Sequence, residues 1–233
     1  MLSVVGLTAF YGTSQALFDV RLDIGEGEIV ALLGRNGMGK TTTVRAIMGL
    51  VRPGGGAVRF RGQELAGMSP EAIARQGIGL VPEGRQIFST LSVAENLVAT
   101  AANRLGAVKP WTLARVLALF PALASRLEQR AASLSGGEQQ MLAIGRALMT
   151  NPRLLILDEA TEGLAPAVRA DIWRCLELLR DEGHAILVID KNLARLEQLA
   201  DRHVVLERGR TVWSGVGEEL ARDRQQVIRH VGI

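Results

Sequence analysis

The sequence predicts an α/β fold: a parallel-rich sheet covered by helices, with antiparallel β elements at the N-terminus and an inserted helical subdomain. Two observations support this prediction. Residues 154–157 are apolar at every position, and strands that are apolar on both faces are typical of parallel sheets packed between helices. Between residues 93 and 149, Ala and Leu recur at helical spacing, which predicts a mostly helical block between two halves of the core.

Short strands and glycine-rich turns are predicted in the N-terminal third of the chain. Residues 28–33, which are apolar from Ile29 onward and end at Gly34, predict a strand, and residues 41–48 predict a helix. The run Pro53-Gly54-Gly55-Gly56 predicts a turn. The other elements predicted here are strands at residues 4–5, 18–22, 57–61 and 78–81 and a helix at residues 70–75.

Strands and helices alternate again after residue 150. Helices are predicted at residues 167–180 and 193–200, on either side of a strand at residues 185–189. Residues 204–213 predict a hairpin that turns at Arg208-Gly209. A chain of this length is expected to form one large domain. The expected parts of the single domain 1–233 are an α/β core of residues 1–83 and 150–233 and a helical subdomain of residues 84–149.

The composition argues against several functional classes. The net charge is only +3 and the basic residues are spread along the chain, so no nucleic-acid partner is expected. No apolar run approaches the length of a membrane span, so we expect any membrane role to come through a partner. The first residues show no basic region followed by an apolar core, so no secretion signal is expected. The single Cys175 excludes an intrachain disulfide and is expected to be a packed thiol in a reducing cytoplasm.

The strongest motif is Gly34-Arg35-Asn36-Gly37-Met38-Gly39-Lys40-Thr41, which fits the G-x-x-x-x-G-K-[ST] pattern of a phosphate-binding loop. Three glycines let the backbone curl so that N–H groups point at phosphate oxygens. The predicted strand before the loop and the predicted helix after it favour a phosphate site over a chance glycine turn.

The side chains at the end of this loop have distinct expected roles toward the phosphates of a bound nucleotide. Lys40 supplies a charge to the β- and γ-phosphates, and Thr41 offers a hydroxyl to Mg²⁺, which prefers oxygen ligands. Thr42 is expected to add a phosphate contact from the first helical turn. Asp158 and Glu159 follow the apolar run at residues 154–157. Asp158 suits water-mediated Mg²⁺ binding and Glu159 suits the general base that orients the attacking water; the alternative is an acidic strand end that caps a helix.

A second motif, Leu134-Ser135-Gly136-Gly137-Glu138, follows far downstream. Together with the phosphate loop and the Asp-Glu pair, it resembles the nucleotide-binding subunits of ATP-binding cassette (ABC) transporters. The resemblance implies a P-loop NTPase core of the RecA-like type. It also implies that Ser135, Gly136 and Gly137 contact ATP bound by a second subunit, so that the chain works as a dimer. The alternative is that Ser135 only caps the following helix.

Longer segments narrow the resemblance. The segments 81–88, 143–149 and 163–166 resemble the shorter ATP-binding subunit of bacterial branched-chain amino acid importers, whose close relatives handle amides or urea. This implies peripheral attachment to the cytoplasmic face of the inner membrane, through permease subunits that dock near Glu83 and the helical block. A solute-binding protein would act indirectly. A soluble ATPase outside transport and a nucleotide-gated regulatory module are the alternatives from other classes.

Three positions matter within this resemblance. Tyr11 precedes the phosphate loop where the family has an aromatic that stacks on adenine; a core or surface aromatic is the alternative. Glu83 replaces the usual Gln after Val-Pro, and its carboxylate is expected to reach a metal-bound or attacking water. Lys191 stands at the switch position, where His or Gln is usual. We expect it either to bind the γ-phosphate and slow turnover or to point to solvent.

Overall fold

The computed structural model describes residues 1–232 and confirms the α/β fold. The strands are β1 (Leu2–Tyr11), β2 (Ser14–Ile24), β3 (Ile29–Leu33), β4 (Pro53–Phe60), β5 (Gln63–Glu64), β6 (Ile78–Val81), β7 (Leu154–Asp158), β8 (Ala185–Ile189), β9 (Arg202–Glu207) and β10 (Arg210–Val216). The helices are α1 (Lys40–Ile47), α2 (Pro70–Arg75), α3 (Val93–Val98), α4 (Leu113–Leu119), α5 (Pro121–Ala124), α6 (Gly136–Leu148), α7 (Pro166–Asp181), α8 (Leu193–Leu199), α9 (Gly217–Arg222) and α10 (Arg224–Val231).

All ten strands form one mixed sheet in the order β5-β4-β1-β2-β10-β9-β3-β8-β7-β6. The five strands from β9 to β6 run parallel to one another, whereas β1, β2, β4 and β5 pair antiparallel. The parallel half therefore brings the carboxyl ends of β3, β6, β7 and β8 to one edge, which is where ligands bind in open α/β sheets.

The uninterrupted apolar strands are buried on both faces of the sheet. In β7, Leu155 and Leu157 belong to the cluster that includes α6 and α7. Leu154 and Ile156 point the other way and belong to the cluster that includes α1 and the antiparallel strands. Each strand thus contributes to two cores, which is why it carries no polar face.

The predicted turn at Pro53–Gly56 is wrong, because these residues begin β4 and pair with β1. Pro53 is the first residue of the strand, where its missing N–H is tolerated. A Cβ on Gly54 would lie 2.6 Å from the Phe10 ring. The glycine run therefore lets β4 pass close to Phe10 instead of ending the strand.

The block at residues 93–149 is less continuous than its Ala and Leu spacing predicts. Helices α3 and α4 are separated by an irregular segment, residues 99–112. Asn151, which lies outside this segment in sequence, fixes its conformation. The Asn151 side chain accepts a hydrogen bond from the Trp111 backbone at 2.6 Å and donates one to the Ala102 carbonyl at 3.0 Å. Tertiary contacts thus override the local helical pattern. The boundaries of a helical subdomain at residues 84 and 149 stay a prediction.

Within residues 1–232, no helix has both the length and the apolar character needed to cross a membrane. The packed thiol expected for Cys175 is observed, because this side chain is fully buried in α7.

The hairpin between β9 and β10 supports the phosphate loop. Its turn residue Gly209 donates a backbone hydrogen bond to the Met38 carbonyl at 3.0 Å and accepts one from Phe18 at 2.8 Å. Gly209 has φ 71°, and a Cβ there would collide with the Ala16 carbonyl oxygen. Only glycine allows this approach, so the turn links β2 to the loop.

We expect Gly209→Ala to lower the free energy of unfolding by about 3 kcal/mol, because both the backbone conformation and the contact with β2 become strained. Urea denaturation measures the change. Gly62→Ala is the matched control, since Gly62 has φ 83° with nothing within 4 Å of the added Cβ; it should cost about 1 kcal/mol. Equal losses in the two variants would contradict the close approach at Gly209.

Candidate nucleotide site

The phosphate loop joins β3 to α1 and curls around the ammonium group of Lys40. The Lys40 Nζ donates hydrogen bonds to the carbonyl oxygens of Gly34 at 2.9 Å and Arg35 at 3.1 Å. Gly39 precedes the helix with φ 103°. A Cβ on Gly34 would lie 2.5 Å from the Leu206 carbonyl oxygen, so the loop lies close against β9. The glycines are therefore required by geometry as well as by the motif.

A cavity of 280 Å³ opens beside this loop and gathers half of the candidate residues from the sequence. It is lined by Asn36, Gly37, Gly39, Lys40, Thr41, Thr42, Glu83 and Glu159. These residues come from the carboxyl ends of β3, β6 and β7, which the sheet places at one edge. A buried ammonium, two hydroxyls and the start of an eight-residue helix make the cavity suited to an anion such as phosphate.

Asp158 lies behind the cavity and is only 2% exposed. Its carboxyl group is within hydrogen-bonding reach of Thr41, and burial raises its pKa, a shift that the Thr41 contact opposes and Glu83 reinforces. Within residues 1–232, the buried Asp158 Oδ1 has no hydrogen-bond partner. A free carboxylate oxygen beside a hydroxyl fits Mg²⁺, which takes oxygen ligands and keeps several from water and phosphate.

Glu159 occupies the left-handed backbone region with φ 54°. Its Oε1 lies 3.9 Å from the Lys40 Nζ. A hydrogen bond with Glu162, and then burial, raise the pKa of Glu159 to about 7, while the charges of Lys40 and Lys191 oppose the rise. The same contact, together with Lys191, lowers the pKa of Glu162, so Glu162 is the more acidic of the two carboxyl groups.

Burial of Lys40 lowers the pKa of its ammonium, and the neighbouring carboxylates Glu159 and Asp158 oppose the shift. Lys40 is 7% exposed. A buried cation with carboxylates on one side and an open cavity on the other can bind a further anion at low desolvation cost.

The remaining candidates lie outside the cavity. Within residues 1–232, the residues that line the cavity include none of the segment Ser135–Gly137. Ser135 caps α6: its hydroxyl accepts a hydrogen bond from the Glu138 backbone, and the Glu138 carboxylate accepts one from the Ser135 backbone at 2.8 Å. The Ser135 hydroxyl keeps its proton free to donate elsewhere. Tyr11, at the end of β1, is 46% exposed and does not line the cavity either.

The glycines after Ser135 make close contacts with two other segments. A Cβ on Gly136 would lie 2.8 Å from the Arg85 guanidinium, and one on Gly137 would lie 2.7 Å from Val168. Arg85 also donates a hydrogen bond to the Gln139 side chain at 3.4 Å. The segment after Glu83 therefore lies directly against the start of α6, a contact that the sequence did not predict.

Lys191 is not among the described residues that line the cavity, and its side chain is not free in solvent either. Its ammonium forms a salt bridge with Glu162 and both side chains are exposed. Sequence analysis missed Glu162. The available signal was its opposite charge to Lys191 on the loop after the neighbouring parallel strand.

Comparisons with known proteins agree with this geometry. The family model described as "ABC transporter" matches residues 17–162. The high-affinity branched-chain amino acid transport ATP-binding protein BraG of Pseudomonas aeruginosa is 44% identical over 94% of this chain and 94% of its own length. The lipopolysaccharide export system ATP-binding protein LptB of Escherichia coli is 34% identical over 95% of this chain and 93% of its own length.

A solved structure described as the ATP-binding subunit of an ABC transporter superposes with a TM-score of 0.83 and 31% identity, covering 97% of this chain and 94% of the other. The fold, the phosphate loop with its acidic neighbours and the extent of these matches show that the chain belongs to the ABC transporter family, as an ATPase whose hydrolysis is coupled to transport.

Proposed function

We propose that this chain is the ATP-binding and ATP-hydrolysing subunit of a bacterial importer for branched-chain amino acids. The observation that carries the ATPase assignment is the cavity that gathers Lys40, Thr41 and Glu159 in front of Asp158. The similarity to the branched-chain amino acid subunit BraG supports the substrate class. Amides, urea or another small solute remain the alternative cargo, since the ATP site makes no contact with cargo.

The phosphate chain of ATP is proposed to lie along the loop, with its backbone N–H groups at Gly34, Arg35, Asn36, Gly37 and Gly39 facing phosphate oxygens. Lys40 pairs with the β- and γ-phosphates, and Thr42 adds a hydroxyl. The Thr41 hydroxyl would hold Mg²⁺, Asp158 and Glu83 would contact it through water, and the ion would neutralise phosphate charge. Tyr11 stacks on adenine from its exposed position at the end of β1.

Hydrolysis needs a water molecule aligned with the γ-phosphorus. Glu159 accepts a proton from that water as the water oxygen bonds to the γ-phosphorus. The bond between the γ-phosphorus and the oxygen bridging to the β-phosphate breaks in the same step. The 3.9 Å distance between Glu159 Oε1 and Lys40 Nζ supports this role, since Lys40 is the group proposed to bind the γ-phosphate. A general base works best when its pKa is near the operating pH.

The segment Ser135–Gly137 is proposed to serve ATP bound by a second ABC ATPase subunit, identical or different. Its place outside this chain's own cavity and the free proton of the Ser135 hydroxyl support this. The two subunits would enclose two ATP molecules, and closure and reopening would drive the permease subunits between access states.

We expect Ser135→Ala to leave ATP binding by the isolated chain unchanged. In the assembled dimer it should lower turnover by at least about tenfold, the value of one hydrogen bond to a charged group. Equilibrium ATP binding and phosphate release measure the two effects. Ser135→Asn keeps a helix cap without the hydroxyl, and Ser133→Ala is the matched surface control. Loss of ATP binding by the isolated variant would contradict a role toward the partner's nucleotide.

A groove between the core and the helices supports permease docking near Glu83 and residues 84–149. Its volume is 480 Å³, and it is lined by apolar side chains such as Phe88 together with Arg75, Arg104 and Arg146. The guanidinium of Arg146 stacks 4.4 Å from the Phe88 ring. We propose that a cytoplasmic segment of the permease fills this groove and holds the chain at the cytoplasmic face of the inner membrane. A solute-binding protein would contribute indirectly, and no nucleic acid is involved.

Deletion of the gene, followed by uptake of labelled leucine, urea and a short amide, tests the importer role. We expect only leucine uptake to fall, and complementation to restore it with the wild-type chain but not with Glu159→Gln. Unchanged uptake of all three solutes would contradict an importer and favour an export system, as the similarity to LptB allows. A wild-type chain without ATP turnover would instead favour a nucleotide-gated regulatory module.

A further inference from the structure

Two loops at the edge of the sheet are joined beside the cavity. One is residues 158–162, after β7, and the other is residues 189–192, after β8. The Glu159 backbone donates a hydrogen bond to the Ile189 carbonyl at 2.9 Å. The Thr161 hydroxyl donates one to the Asp190 carboxylate at 2.5 Å. The salt bridge between Lys191 and Glu162 closes the solvent side of this connection.

The connection surrounds the residue with the least favourable backbone in the site. Glu159 has φ 54°, a region that residues other than glycine rarely adopt. Such a conformation persists only where neighbouring contacts determine it. The three contacts between the loops supply that constraint at Glu159 itself and on its C-terminal side.

Glu162 links the salt bridge to Glu159 itself. The two carboxyl groups are within hydrogen-bonding distance of each other, and the Glu162 backbone donates to the Glu159 carbonyl at 3.3 Å. Two carboxylates this close repel each other when both are charged. Lys191 offsets that repulsion, because its ammonium binds the outer carboxylate and leaves Glu159 facing Lys40 across the cavity.

We propose that Glu162 and Lys191 are a pair of positioning residues that hold the Glu159 side chain in place for hydrolysis. The inference rests on the proposed role of Glu159 as the base. It gives Lys191 a function through Glu162, in place of a direct contact with the γ-phosphate. The pair acts on the chemical step and not on nucleotide binding, since neither side chain lines the described part of the cavity.

The test uses the full chain with Lys191→Gln, Glu162→Gln and the double variant. Lys191→Gln leaves the Glu162 charge uncompensated beside Glu159, so we expect kcat to fall about tenfold while KM for ATP stays within about twofold. In the double variant the negative charge at position 162 is removed as well, and the two amide side chains at positions 162 and 191 can still form hydrogen bonds with each other. Turnover should return to within about threefold of the wild-type value, a rescue that additive damage cannot produce.

Arg195→Gln is the matched control, because Arg195 forms a similarly exposed salt bridge with Glu177 on the adjoining helix. It should leave kcat and KM unchanged. Faster turnover in Lys191→Gln, with Glu162→Gln neutral, would overturn the proposal and indicate a direct γ-phosphate contact. A double variant slower than either single variant would also overturn it.

Glu159→Gln separates this inference from the proposed function. If that variant abolishes turnover while Lys191→Gln matches Arg195→Gln, the base assignment stands and only the positioning pair fails. If Glu159→Gln retains turnover, the proposed catalytic role itself fails.

Discussion

Glu159→Gln is expected to reduce ATP turnover about a thousandfold while leaving ATP affinity nearly unchanged. The amide has the shape of the carboxyl group and can still contact Glu162, but it cannot accept a proton from water. The loss therefore falls on kcat. Phosphate release measures turnover, and equilibrium binding of ATP measures affinity.

The control for this variant is Glu177→Gln, which removes one exposed carboxylate from α7 and leaves the cavity intact. Its turnover should match that of the wild-type chain. More than a tenth of wild-type turnover in Glu159→Gln would show that another group accepts the proton.

Lys40→Met is expected to weaken ATP binding about a hundredfold, which corresponds to the loss of charge-assisted contacts to two phosphates. The aliphatic chain is kept, so packing in the loop changes little. What disappears is the ammonium that bonds to Gly34 and Arg35 and faces the cavity. Titration calorimetry with ATP measures the dissociation constant.

Lys109→Met serves as the matched control, since the chain contains only three lysines and Lys109 lies in the irregular segment before α4. It should bind ATP like the wild-type chain. Melting temperatures of both variants show whether the loop still folds. Wild-type ATP affinity in a folded Lys40→Met would contradict the assignment of this loop.

Local patterns predicted most of the parallel half of the sheet. The apolar runs became β3, β7 and β8 because a buried parallel strand needs apolar residues on both faces. The local sequence pattern gave a wrong prediction at β4, where pairing with a neighbouring strand decided the structure. Gly54 belongs to β4 because this segment pairs with β1, where the Phe10 ring leaves no room for a Cβ, and that pairing has no signal in the local sequence.

The same distinction applies to the candidate site. The loop up to Lys40 was recognisable in the sequence because its contacts are local and its backbone geometry requires glycine. The Lys191 ammonium was expected to bind phosphate or to face solvent, and neither expectation included Glu162. Twenty-eight residues separate the two along the chain, yet β7 and β8 are neighbours in the sheet, so their following loops meet.

The sequence by itself determined the chemistry that is available: the phosphate loop, the Asp158-Glu159 pair and a Ser-Gly-Gly segment at the start of a helix. These are short segments whose residue types and spacing carry the information. Only the tertiary structure decided which groups meet, because the order of the parallel strands places the ends of β3, β6, β7 and β8 at one edge. Distant residues such as Glu162 and Lys191 become neighbours through strand pairing, and pairing is a property of the whole sheet.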